Sequence, residues 1–154
     1  MARNVWSLFK KKKEKTYPVK EISLHELKQA IRKYMDELPD HVPLSMLIND
    51  DLTINYYELA PYLNAIPMQT YYMSKETYDI FDEDQRHLAE DLDYTQRAVD
   101  QYVDLTSELP VIHGDPYLKV SYHKLMKRGL ITYRPPHEFY IDPKDHLINF
   151  KKPK

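Results

Sequence analysis

The chain has no cysteine and only two glycines in 154 residues, and each scarcity removes a class of chemistry. Without cysteine there is no disulfide framework, no thiolate zinc ribbon and no thiol nucleophile. Two isolated glycines, Gly114 and Gly129, supply neither a Walker loop nor a dinucleotide fingerprint, since both motifs cluster glycine against phosphate. Long apolar runs are also missing, and no stretch approaches the roughly 20 apolar residues of a membrane span. Val5-Trp6-Ser7-Leu8-Phe9, with its lysines after it rather than before, is too short for a secretory signal. The sequence predicts a chain that keeps its first residues and works in a reducing cytoplasm.

Tyrosine is plentiful, with fourteen residues, and so is proline, with eleven. A hydrophobic content of 42% is enough to bury a core, and the length suits a single domain. The near-neutral net charge of -2 conceals a segregation. Residues 1–20 carry seven Lys/Arg against one acid, a net of +6. Residues 21–107 carry six against eighteen, a net of -12, and residues 108–154 carry nine against five, a net of +4. Such a chain presents a dipolar surface, unless its basic ends fold over the acidic middle.

The pattern predicts an α+β fold: a single small domain over 16–150 of antiparallel hairpins packed by two main helices, behind a flexible basic tail, 1–15, and before a frayed end, 151–154. The first helix runs from Ser23 to Leu38. Ser23 and Glu26 have capping-box spacing, Leu24, Leu27, Ile31, Tyr34, Met35 and Leu38 form one stripe, and Pro39 ends it. The second runs from about Asp82 to Ser107, with acids at its positive end and Leu88, Leu92, Val99, Tyr102 and Val103 on its buried side. A shorter helix is expected over Ser121–Arg128, closed by Gly129 in a left-handed cap. Thr16–Ile22, Leu44–Asn49, Leu52–Leu59, Met68–Met73, Leu109–His113 and Leu130–Tyr133 read as extended, with a loop between Pro61 and Pro67 and a short helix from Ser74 to Phe81. His137–Ile141 and His146–Phe150 read as a hairpin about Asp142-Pro143-Lys144-Asp145. Tyr71-Tyr72-Met73-Ser74 and Phe139-Tyr140-Ile141-Asp142 share one pattern, a strand stopping at a side-chain-capped corner, although four residues do not define a repeat.

Leu109-Pro110-Val111-Ile112-His113-Gly114-Asp115-Pro116-Tyr117, Val120-Ser121-Tyr122-His123-Lys124-Leu125, Phe139-Tyr140-Ile141 and Leu147-Ile148 together resemble a family of short uncharacterised proteins from spore-forming Gram-positive bacteria. The resemblance covers most of the chain after the basic tail. It implies a bacterial cytoplasmic location and no activity, since the family brings no active site to carry over.

Four sets of residues bear on function. In the tail, Trp6, Leu8 and Phe9 suit a bilayer interface, and Lys10, Lys11, Lys12, Lys13 and Lys15 suit anionic lipid or an acidic partner, two signals of the kind stable anchoring needs. The competing explanation is a terminus kept soluble by lysine. In the carboxy-terminal third, Lys119, His123, Lys124, Lys127 and Arg128 lie on or beside one helix ahead of a wing-like hairpin, as in winged-helix DNA binders. Against this, Leu109–Tyr117, with its two prolines, does not read as the partner helix, and the acidic middle repels phosphate. Among the tyrosines, Tyr57, Tyr71 and Tyr72 are candidate exposed aromatics for protein binding, against amphipathic core tyrosines with rim hydroxyls. The histidines and neighbouring acids show no helix-spaced metal pair, and Asp50-Asp51, Asp91/Asp93 and Ser121/His123 lack the geometry of catalytic pairs. The sequence therefore predicts a non-enzymatic cytoplasmic adaptor or regulatory module that binds protein, peripherally tethered to the inner membrane face by residues 1–15, with no metal or cofactor. The alternative is a nucleic-acid-binding regulator using the 119–128 helix, and the third reading is an unrecognised enzyme.

Overall fold

The computed structural model describes residues 16–153, and its elements are those of an α+β chain. The candidate tail residues Trp6, Leu8, Phe9, Lys10, Lys11, Lys12, Lys13 and Lys15 lie outside the described residues. In order come β1 (Val19–Lys20), α1 (Leu24–Glu37), a 3-10 turn (Leu44–Leu47), α2 (Tyr56–Leu63), β2 (Ile66–Pro67), β3 (Tyr72–Met73) and β4 (Ile80–Phe81). A second 3-10 turn (Glu83–Gln85), α3 (Arg86–Thr106), α4 (Tyr122–Lys127), β5 (Tyr140–Ile141) and β6 (Ile148–Asn149) follow. The chain condenses into two units, residues 16–47 with 55–70, and residues 48–54 with 71–153.

In the first unit α1 begins as its capping box requires. The Ser23 hydroxyl accepts the Glu26 amide at 3.1 Å, and Leu27, Ala30 and Ile31 are buried. α1 packs on α2, and β1 pairs with β2 in parallel, Val19 opposite Ile66. The residues expected as a strand over Leu52–Leu59 instead leave the extended state at Asn55, whose side chain accepts the Tyr57 amide at 3.2 Å and starts α2. Pro61 lies inside this helix rather than in a loop. Its missing N–H falls in the last turn, on the exposed side that carries Tyr57, and Asn64 closes the helix at φ 53°. Leu44–Leu47 likewise forms a 3-10 turn, leaving one bridge at Ile48 of the strand expected over Leu44–Asn49, and Met68–Met73 is extended only at its end.

In the second unit α3 is the central element. The Asp82–Gln85 capping box opens the 3-10 turn that leads into it, and Ser107 ends it at φ 58°. Leu88, Leu92, Val99 and Tyr102 are buried as their spacing requires, and Val103 at the edge of that stripe is half-buried. β3 and β4 form one antiparallel hairpin and β5 and β6 another, and α3 packs on both. The helix expected over Ser74–Phe81 is the turn and second strand of the first hairpin: the buried Ser74 hydroxyl accepts the Thr77 amide at 2.9 Å within that turn. Asp93 of α3 fixes the corner by accepting the Ser74 hydroxyl and the Lys75 amide. Gln96, one turn on, accepts the Ile148 amide at 2.8 Å and donates to the His146 carbonyl at 2.9 Å. Leu109–His113 contributes one bridge, Val111 to Val120, and Leu130–Tyr133 is irregular. Ser121 caps α4, as expected, and Gly129 follows at φ 70°.

The two hairpins are built alike, bond for bond. Ser74 N–H reaches the Asp79 carbonyl and Tyr78 N–H the Ser74 carbonyl. Asp142 N–H reaches the Leu147 carbonyl and His146 N–H the Asp142 carbonyl. Tyr78 and His146 share the left-handed conformation, at φ 65° and 62°. The correspondence extends well beyond the hairpins. Thr53 bridges Tyr72 as Lys119 bridges Tyr140, and Ile48 bridges Ile54 as Val111 bridges Val120. Tyr56 and Tyr122 each open the short helix, and their hydroxyls donate to the carbonyls of Gln69 and His137, three residues ahead of β3 and β5. Leu59 and Leu125 are both fully buried. In the long helices Leu24, Ala30, Ile31 and Tyr34 recur at the same spacing as Leu92, Ala98, Val99 and Tyr102. The described chain thus follows one plan twice: long helix, bridged loop, short capped helix, hairpin.

Candidate functional site

Tyr57, Tyr71 and Tyr72 do not form a shared patch. Tyr57 is 80% exposed on α2 of the first unit, whereas Tyr71 and Tyr72, at 5% and 8%, are buried in the second. The expected exposure of one of that pair fails because Tyr71 leads into, and Tyr72 lies in, the inner strand of a hairpin covered by α3, and Arg86 lies over the Tyr72 ring at 5.8 Å.

Instead, three features of the second unit stand out. The first is a polar tie centred on Asp91, which is 7% exposed on α3. Its carboxylate accepts the Tyr133 hydroxyl at 2.6 Å and lies 3.5 Å from Nε2 of His137. Beside it Tyr94 stacks on Tyr133, with centroids 4.6 Å apart, and accepts the Thr132 amide at 2.6 Å. Burial, the hydrogen bond to Asp91 and its charge raise the Tyr133 phenol, and burial raises that of Tyr122. At Tyr94 burial acts in the raising direction, but hydrogen bonds from Thr132 and the Tyr133 backbone together outweigh it and lower the phenol. Carboxylate, imidazole and phenol meet here as they do in acid–base sites. Here they join residues 132–137 to α3 as a clasp. Sequence reasoning missed it because its members are far apart along the chain.

The second feature is an open groove of about 630 Å³ between the turns of the two hairpins. Pro116, Tyr117, Leu118 and Leu147 give it apolar walls, Asp79 and Lys144 contribute charge, and Lys152 lies 4.2 Å above the Tyr117 ring.

The third is a groove of about 660 Å³ between α3 and α4, lined by Tyr102, Leu105, His123, Lys124, Lys127 and Arg128. Arg128 stacks over Tyr102 at 5.7 Å. Of the basic residues singled out from sequence, this groove unites four, while Lys119 is directed to Glu138 at 3.3 Å. The hydrogen bond and charge of Glu138 raise the Lys119 ammonium, so it stays charged and paired. A wing-like hairpin follows α4, but what precedes it is the Val111–Val120 bridged loop, so α4 lacks the partner helix that a helix-turn-helix uses.

Among the described residues no three His, Asp or Glu side chains converge to hold a metal ion, and no helix is long and apolar enough to cross a membrane. The chain matches none of the curated proteins and none of the solved structures with which it was compared. The model of a protein family of unknown function (DUF3939) matches residues 17–150, and the chain belongs to that family.

Proposed function

We propose that this protein is a non-enzymatic binding module, an adaptor or regulator that acts in the cytoplasm by holding a partner protein. The observation that carries this reading is the groove between the two hairpin turns. It is open, its walls are tyrosine, leucine and proline, and its rim is lysine and aspartate, a composition suited to a protein interface. The Asp91 clasp, whose groups are occupied with one another, supports the same reading. The tail sequence, Trp6, Leu8 and Phe9 ahead of Lys10 to Lys13 and Lys15, adds a means of holding the module at an anionic membrane face.

The test is affinity purification from a native lysate with four baits: the full chain, a 1–15 deletion, Tyr117→Ala and Leu147→Asp. A protein retained by the full chain and lost from both groove variants is expected. If both groove variants retain the same proteins as the full chain, the reading fails. The 1–15 deletion separates partners recruited through the tail from those held by the groove.

A further inference from the structure

The two-fold plan makes each copy a control for the other. Positions where the copies differ are those the shared backbone leaves free. In the first copy the cleft between the long and short helices is closed by its own residues. Tyr34 and Tyr62 meet edge to face at 6.4 Å, and the Tyr62 hydroxyl bonds the Glu37 carboxylate. Glu58 stands close enough to raise the Tyr34 phenol, although burial is the larger cause.

In the second copy every partner of that first tyrosine, Tyr34, changes. Arg128 stands where Tyr62 does, Leu105 where Glu37 does, Lys124 for Glu58, Lys127 for Pro61 and His123 for Tyr57. Tyr102 keeps the place of Tyr34. The same cleft has therefore passed from acidic and self-satisfied to basic and open. Among the described residues no carboxylate lies within ion-pair distance of Lys124, Lys127 or Arg128. Leu105 is 64% exposed beside them and Met126 44%.

We propose that the α3–α4 groove binds a short acidic segment of a partner protein, with its carboxylates on Lys124, Lys127 and Arg128 and an apolar side chain on Leu105. This rests on the binding reading above and uses a different surface. Charge complementarity supplies the attraction, and the groups lining the groove choose the occupant. A nucleic-acid backbone has little use for exposed Leu105. A long polyanion would also be repelled by the acidic stretch of the chain, net -12 over 21–107. A short peptide combining acidic and apolar residues satisfies both.

The experiment titrates the full chain into a fluorescein-labelled peptide, Asp-Glu-Leu-Glu-Asp-Leu-Glu-Glu, read by anisotropy. The same peptide with Asn and Gln for its acids, inorganic polyphosphate and duplex DNA are the comparison arms. Saturable binding of the acidic peptide is expected, weakening as salt rises and absent for the amide peptide. The double variant K124E/R128Y carries the residues that the first copy already accommodates, so it is expected to fold with an unchanged melting profile and to lose about tenfold or more in affinity. K127E, on the exposed face, repeats the test should the double variant melt early. No saturable binding by the wild type, equal binding by the folded variants, or tighter binding of polyphosphate or duplex DNA than of the peptide overturns the proposal. Capture of a partner through the Tyr117 groove is read separately, so that reading survives or fails on its own assay.

Discussion

Asp91 shows how a residue acquires a role that no local pattern announces. Its carboxylate is buried on α3 and is satisfied by Tyr133 and His137 from a segment some forty residues on. Neither neighbour in sequence hints at this, and Asp91 with Asp93 reads as two acids on different faces of a helix. Both faces in fact carry buried bonds, Asp93 to the Ser74 corner and Asp91 to the clasp. Tyr71 and Tyr72 erred in the opposite direction: an adjacent pair on a strand suggests one ring in and one out, but both are buried, and Arg86 at the start of α3 lies over the Tyr72 ring. The clasp makes a pH prediction. Burial and the Asp91 hydrogen bond hold the Tyr133 phenol above its ordinary value of 10.0. A proton held more tightly in the folded state stabilises the fold below the unfolded pKa, and this contribution is lost as pH rises from about 10 through the folded value. Tyr133→Phe should therefore destabilise the protein by about 1 kcal/mol near neutrality, modest because the side chain is partly exposed. The gap between wild type and variant in urea midpoint should narrow above about pH 10. A gap that stays constant into that range, measured by urea titration, would count against the clasp.

At the scale of elements, the signals that proved legible were local and chemical. Ser23 with Glu26, the acids from Asp82 to Asp84, and Ser121 ahead of a basic helix each marked a helix start, and Asp142-Pro143-Lys144-Asp145 marked a hairpin. What stayed hidden was α2, because Pro61 argues against a helix unless its missing N–H falls on an exposed last turn, a condition set by packing. The β3–β4 hairpin was hidden for a related reason: a serine cap serves a turn as well as a helix. Two helix ends make opposite predictions. Ser107 pays for a left-handed C-cap at φ 58° with a side chain, while Gly129 takes φ 70° with open space around its missing Cβ. Ser107→Gly should stabilise the protein, and Gly129→Ala should destabilise it, each by about 0.5–1 kcal/mol. Thermal denaturation of the two variants checks both signs.

For the whole molecule, the sequence carried two large-scale signals. The charge segregation was fully legible, and part of the basic third is now located as one cleft of the second copy. The duplication was visible only as four residues of echo, because the copies have kept spacing and burial while exchanging surface residues, as Glu58 and Lys124 show. The tail bears on the whole chain. With five lysines within 10–15, each worth about 1 kcal/mol near an anionic surface, full-length protein should sediment with anionic vesicles and the 1–15 deletion should not. Equal sedimentation would remove the tail from any account of membrane attachment. Gln96 has a different consequence, for how copies of the molecule behave towards each other. Asp142 bonds Leu147 within its hairpin, so the Ile148 amide and the His146 carbonyl face away from β5, along an open strand edge. These are the two groups that one residue of an incoming parallel strand would engage, and the Gln96 amide occupies both. One side chain thus stands in for a missing strand and leaves those two groups unavailable to a strand from another copy.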